Sequence, residues 1–226
     1  MNRGPIIKDP RDVVHEVSDL ERYLDEMFEQ EGLTFDTWMA TFGSGFYRAR
    51  NLAVVELVRP LEPRRVLEFA CAGGHLAELV MDGVPTIDHY VCSSVSARVV
   101  EHAKGQLQRW PHCAVKMVDA DLSRSQDMVA TNIATYDLFL TTSFEHIRLD
   151  RELICEMPPG AAFVFSVTLF DDPEHFRVFG NETELRERYE DLLAIDRVVV
   201  TGDNTKIVVS GRIPIEPSGR RRAHGR

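Results

Sequence analysis

Residues Val66-Leu67-Glu68-Phe69-Ala70-Cys71-Ala72-Gly73-Gly74-His75-Leu76-Ala77 decide how this chain is read. An apolar run of strand-forming residues ends in small side chains and feeds directly into a helical pattern. Small residues there let the backbone approach a ligand closely, and the N–H groups of a helix start offer donors to anionic or polar groups. In an open parallel sheet the carboxyl end of such a strand, at the point where strand order reverses, is where nucleotide-like molecules bind.

Working outward from this stretch, β-rich runs alternate with helical ones. Strands are predicted at His89–Ser94, Cys113–Val118, Tyr136–Thr142 and Ala162–Phe170, with helices over Gly74–Asp82, Ser96–Trp110 and Asp150–Met157 between them. Strands and helices at this spacing make βαβ crossovers, hence a parallel sheet covered on both faces. The end of the chain breaks the rhythm. A helix over Glu182–Leu193, opened by Asn181 with Glu184 three residues on, leads into Ile195–Thr201, and Thr205–Ile213 returns after a Gly202-Asp203-Asn204 turn without a helix, so the last two strands pair antiparallel.

Before Pro63 the pattern is helical. Apolar residues from Val13 to Phe28 recur at helical spacing over Pro10–Glu31, and a second helix runs from Arg48 to about Pro60. The aromatic segment between them, with Trp38, Phe42, Phe46 and Tyr47, is read as a hydrophobic plug between helices or a lid over a ligand. The organisation is therefore a helical cap (1–60), an α/β domain (61–215) and a basic tail (216–226) with little to bury.

Composition agrees with one domain. The 226 residues are 44% hydrophobic and 27% charged, and 26 basic against 36 acidic side chains give a net charge of −10. That field repels polyanions, so nucleic acid is disfavoured as a partner. No run is long enough to span a membrane and the first residues lack the apolar core of a secretory signal, which makes a cytoplasmic location the expectation. Cys71, Cys92, Cys113 and Cys155 form no CxxC pair, so buried reduced thiols are expected and neither a disulfide framework nor a zinc site.

The stretch at 66–77 resembles the first motif of the class I S-adenosylmethionine-dependent methyltransferases, an acidic residue followed by alternate glycines, with Glu68, Ala70, Ala72 and Gly74 on the motif positions. Tyr90–Ala103, Val118–Leu122, Tyr136–Ile147 and Met157–Phe165 are similar, in order, to the family's later signatures. The resemblance implies a doubly wound, seven-stranded, mostly parallel α/β sheet with a C-terminal antiparallel hairpin and an N-terminal helical cap. It implies S-adenosyl-L-methionine as cofactor, a small-molecule acceptor methylated on oxygen or nitrogen, and no metal; it leaves a homodimer open.

By the same resemblance the Ala72-Gly73-Gly74 turn faces the donor's methionine portion, with Glu68 ordering the turn or the donor's ammonium. Ser94 and Val95 meet the ribose, Asp119 or Asp121 the adenine, and Ser143 completes the cofactor set. His146 is the candidate proton acceptor, with Glu145 beside it to orient the ring. Trp38, Phe42 and Tyr47 line an acceptor pocket and Arg48 is available for a carboxylate; His175 stands either as a substrate contact or as a hydrated loop histidine. Two departures count against a fully competent site. Ala72 adds a methyl group where the backbone approaches the cofactor, and Ser94 replaces the usual acidic residue, giving up the charge that strengthens such hydrogen bonds. They motivate the alternative of a non-catalytic, methyltransferase-like interaction module. Glu145-His146 is also similar to the metal-binding pair of small-RNA terminal methyltransferases, a reading opposed by the net charge, and a nicotinamide-dependent dehydrogenase fits less well still.

Overall fold

The computed structural model describes residues 6–7, 20–94, 96–117, 132–171, 175–201 and 204–215. Three helices open it, α1 (Leu20–Glu31), α2 (Phe35–Phe42) and α3 (Gly45–Val58), after a two-residue strand β1 (Ile6–Ile7). The sheet strands are β2 (Arg65–Phe69), β3 (His89–Ser94), β4 (Cys113–Met117), β5 (Leu138–Thr141), β6 (Ala162–Thr168), β8 (Ala194–Val200) and β9 (Lys206–Arg212). Between them lie α4 (His75–Gly83), α5 (Ala97–Leu107), α6 (Asp150–Glu156), the short strand β7 (Arg177–Val178) and α7 (Glu182–Tyr189).

The seven-stranded sheet has the order β4-β3-β2-β5-β6-β9-β8. The first five strands in that order are parallel, Leu67 of β2 standing between Val91 of β3 and Phe139 of β5. β9 runs antiparallel to both β6 and β8, which is the terminal hairpin expected from the sequence. After β4 the chain crosses to the far side of β2, so strand order reverses between β2 and β5, and a crevice opens at their carboxyl ends.

Alternate side chains supply two cores. On one face Leu67, Phe69, Phe139, Phe163 and Phe165 pack with Phe144 and with Tyr189 of α7. On the other, Val66, Leu138, Leu140 and Val164 pack against Val54, Leu57 and Val58 of α3, Leu76 and Val80 of α4, and Ala103 and Leu107 of α5. Both faces are covered, which is why β5 and β6 carry the unbroken apolar runs Leu138-Phe139-Leu140 and Ala162-Phe163-Val164-Phe165.

A buried ionic knot ties α6 to α7. The Asp150 carboxylate, 1% exposed, accepts from Arg188 Nε and Nη2 at 2.8 and 2.9 Å and from the Tyr189 hydroxyl at 2.6 Å, and pairs with Arg177 Nη2 at 2.8 Å. Burial and the neighbouring carboxylate hold the Tyr189 hydroxyl well above its ordinary pKa.

Several expectations are adjusted. Residues 35–42 of the aromatic segment, to which the sequence assigned no helix, form one: Thr34 and Thr37 make a reciprocal cap, Thr37 N–H donating to Thr34 Oγ1 and Thr34 N–H to Thr37 Oγ1, which offsets the poor helix propensity of Phe, Thr and Trp. The second helix begins at Gly45, three residues before the predicted start. α7 stops at Tyr189, where Leu192 and Leu193 N–H groups both turn back to the Tyr189 carbonyl so that Leu193 can enter the core. Of the cysteines, Cys71 and Cys92 are buried, Cys113 is half-buried, and Cys155 is exposed on α6, contrary to expectation. The first half of the predicted N-terminal helix and the basic tail lie outside the described residues. Among the described residues no helix is long and apolar enough to cross a membrane.

Candidate functional site

The turn after β2 has alternating left-handed backbone. Ala70, Ala72 and Gly74 have φ of 53°, 46° and 86°. For an L-residue that conformation costs about 1–2 kcal/mol, yet both alanines keep the shape that glycine would take freely. Cys71 N–H donates to the Ser93 carbonyl at 2.9 Å and Gly74 N–H to the Cys71 carbonyl at 3.0 Å, so the turn is anchored to β3 and to itself. A side chain at Gly74 would meet Leu107 Cδ1 at 3.0 Å, and one at Gly73 would meet Met39 Sδ at 3.2 Å. The glycines are thus demanded by the approach of α5 and α2. Met39 is fully buried, and its carbonyl lies 3.1 Å from His75 Nε2, so α2 lies directly on the turn.

Behind the turn Glu68 is 1% exposed. It accepts from the Tyr90 hydroxyl at 2.7 Å and from Cys92 Sγ at 3.7 Å, and burial, only partly countered by these bonds and by the Arg50 charge, raises its pKa from 4.5 to about 7. Ser94 ends β3, buried, its hydroxyl receiving the Ser96 N–H at 3.4 Å. Val95, Asp119 and Asp121 lie outside the described residues.

Across the crevice, β5 ends in a tight turn over Phe144–His146. Ser143 opens it, half-buried, with its N–H on Thr141 Oγ1 at 3.3 Å. Glu145 is 2% exposed; its Oε1 lies 3.9 Å from His175 Nε2 and 4.0 Å from Lys206 Nζ, and among the described residues its Oε2 has no hydrogen-bond partner. His175 is no hydrated loop residue: it is 4% exposed, its Nδ1 is 3.2 Å from Thr168 Oγ1, and its ring stands edge-on to His146 at 4.8 Å. The structure thus joins Glu145, His146 and His175 into one cluster, with their ligating atoms within 4.8 Å of one another. Lys206 brings its ammonium near that same carboxylate and near the faces of Tyr47 and Phe170 at 5.9 and 5.8 Å.

The aromatic residues form a continuous row. Trp38 contacts Phe42 at 5.1 Å between ring centres, and Phe42 contacts Tyr47 at 5.0 Å. Arg48 is exposed and lines a small hollow with Phe42, Asn51, His75 and Glu78, away from the cluster. The arginine that reaches the crevice is Arg50, which the sequence reading passed over. It is 5% exposed, donates from Nη1 to the Thr142 carbonyl at 3.2 Å, and sits over the Tyr47 ring at 5.1 Å. Lys206 was missed as well, since nothing in a strand-opening lysine marks it as buried.

No family model matches the sequence, and no curated protein does. Solved structures do. The N-methyltransferase NodS from Bradyrhizobium japonicum WM9, in complex with S-adenosyl-L-homocysteine, superposes with a TM-score of 0.59 at 19% identity over 76% of this chain and 89% of its own. A chain of the complex between the Haloferax volcanii Trm112 methyltransferase activator and a methyltransferase gives 0.62 at 16% identity, over 80% and 97%. The methyltransferase domain of bacterial CtHen1 gives 0.56 at 15% identity, over 75% and 100%. At these identities the likeness establishes the fold: it is that of the class I methyltransferases, as the ordered motifs implied.

Proposed function

We propose that this chain is an S-adenosylmethionine-dependent methyltransferase acting on a small or medium-sized acceptor through oxygen or nitrogen. The observation that carries the reading is the turn at Ala70–Gly74: it keeps the alternating left-handed conformation without two of its glycines, at the one place in the sheet where strand order reverses. The residues present fit the group. Backbone N–H groups of the turn and of the α4 start face a ligand's polar end, Glu68 supplies a carboxyl poised near neutrality, and Ser94 offers one hydroxyl at the end of β3. Val95, Asp119 or Asp121, and Ser143 complete this set by analogy.

The sulfonium donor supplies an already activated methyl group. What remains for the protein is to align the acceptor, exclude water and take up a proton. His146, half-exposed at the rim and edge-on to His175, receives that proton at its imidazole, while Glu145 and Thr168 hold the His175 ring that fixes its orientation. In this reading residues 1–60 act as a cap, with Trp38, Phe42 and Tyr47 forming the apolar wall beside the acceptor and His175 at its edge.

Calorimetric titration with S-adenosyl-L-homocysteine tests the proposal. Saturable binding, weakened at least tenfold by Gly74→Asp, supports it. Absence of binding at millimolar ligand favours the non-catalytic module instead, and restoring glycine at Ala72 and aspartate at Ser94 would then recover affinity.

A further inference from the structure

We infer that Lys206 is a positioning residue for the histidine pair: its ammonium, and not a second proton on His175, balances the Glu145 carboxylate, so that His175 stays neutral beside His146. The inference rests on the proposed function only for the use His146 makes of its own proton. The register of the sheet builds the cluster. Lys206 opens β9 directly opposite Thr168 of β6, and opposed residues of an antiparallel pair share a face, so the ammonium and the Thr168 hydroxyl that meets His175 come to the same side. Thr201 clamps the start of the strand, its N–H donating to the Lys206 carbonyl at 2.9 Å and its hydroxyl accepting the Lys206 N–H at 3.2 Å. Lys206 is 4% exposed, a depth at which lysine is rare unless paired. Its partners include the ring faces of Tyr47 and Phe170 and the Glu145 carboxylate.

Glu145 carries one negative charge and has two groups able to balance it at nearly the same distance, His175 Nε2 at 3.9 Å and Lys206 Nζ at 4.0 Å. His146 is its chain neighbour, and Arg50 of α3 acts on it only over distance, since the Arg50 hydrogen bonds go to Asn51 and to the Thr142 carbonyl. Which of the two balances the carboxylate decides the state of both histidines. His175 Nδ1 lies 3.2 Å from Thr168 Oγ1 and 3.3 Å from the Phe170 carbonyl, an oxygen that can only accept, so the first proton of the ring sits on Nδ1. Nε2 is the position that a second proton would fill, and it faces Glu145. With the ammonium in place the carboxylate is compensated and the second proton is not needed. Without it, the carboxylate draws a proton from solvent onto Nε2, and an imidazolium then stands edge-on to His146 at 4.8 Å between ring centres. A like charge at that range disfavours protonation of His146, the step assigned to it in methyl transfer.

Histidine ¹⁵N spectra test this, with His146→Asn and His175→Asn used to assign the two rings. In the unaltered protein at pH 7.5, His175 is expected to show the signature of a neutral ring protonated on Nδ1; a cationic His175 at that pH overturns the inference. Lys206→Met is expected to raise the His175 titration midpoint by about 1–3 pH units and to lower that of His146. Lys206→Arg keeps the charge and leaves both near their parental values. Loosened packing alone would move both midpoints the same way, toward that of a solvated imidazole. A His175 midpoint that Lys206→Met leaves unchanged, or two midpoints that move together, overturns the inference. The tautomer and charge of His175 are read on the unaltered chain, so a variant that fails to fold leaves that arm intact. None of these spectra needs a methyl donor or an acceptor. Failure of the proposed function therefore shows separately, as absence of S-adenosyl-L-homocysteine binding, while the histidine titrations still report on Lys206.

Discussion

Glu68 makes the stability of this protein depend on pH in a way that a single substitution removes. Its carboxyl has an ordinary pKa of 4.5 and a folded value of about 7, so the folded state holds the proton more tightly than the unfolded chain does. Stability from this group is fully present below about pH 4.5 and is lost as pH rises through about 7, because the unfolded carboxyl ionises first. The distance from 4.5 to about 7, at about 1.36 kcal/mol for each tenfold change in proton affinity, corresponds to about 3 kcal/mol lost across that window. Glu68→Gln removes the ionisable proton and retains the shape. Its hydrogen bond with Tyr90 changes by an amount that does not vary with pH below the tyrosine's own raised pKa, so the difference between variant and parent isolates the carboxyl. Urea unfolding midpoints at pH 5, 6, 7 and 8 measure it: the variant gains on the parent by about 2 to 3 kcal/mol between the two ends, the rest of the effect falling below pH 5. Parallel curves, with the same offset at every pH, would refute the assignment of a raised pKa to Glu68.

Three further outcomes are expected. Ala72→Gly relieves a left-handed φ of 46° and gains up to about 1 kcal/mol after the entropy of glycine is set against it, with tighter S-adenosyl-L-homocysteine binding in the same sample; a lower melting temperature with unchanged binding contradicts this. Asp150→Ala strands Arg177 and Arg188 around an empty centre and costs about 3–5 kcal/mol in denaturant unfolding, whereas a surface carboxylate such as Asp25 changes little when removed. Methyl transfer persists in excess chelator, because the Lys206 ammonium already stands beside Glu145; loss of activity on chelation, restored by a divalent ion, would reverse that reading and make Glu145, His146 and His175 ligands.

Much of the architecture is legible in the sequence because burial on both faces of a parallel sheet forces apolar runs, which Leu138–Leu140 of β5 and Ala162–Phe165 of β6 show plainly. The first-motif turn is legible despite lost glycines because its neighbours are small. α2 is not, since two threonine hydroxyls organise it and the residues themselves are poor helix formers. The choice of Arg48 over Arg50 is instructive. Tyr47, Arg50, Asn51, Val54, Leu57 and Val58 fall at helical spacing, and the last five are buried, so the phase of α3 already marks Arg50 as inward and Arg48 as outward. No comparable signal exists for the meeting of Glu145, His175 and Lys206, which come from a turn, a loop and a strand end and are brought together only once β5, β6 and β9 are paired.

The pairing of β1 with β7 has a mechanical meaning. Ile6 and Ile7 are bonded alongside Val178 and Arg177, two residues beyond His175, and the next N–H back, that of Phe176, is bonded to the Glu145 carbonyl at 3.0 Å. A load applied at the first residues, from a fused handle, a surface tether or an optical trap, is therefore delivered to the rim that carries His175 before it reaches α1. Immobilising the protein by that end loads the segment that carries His175.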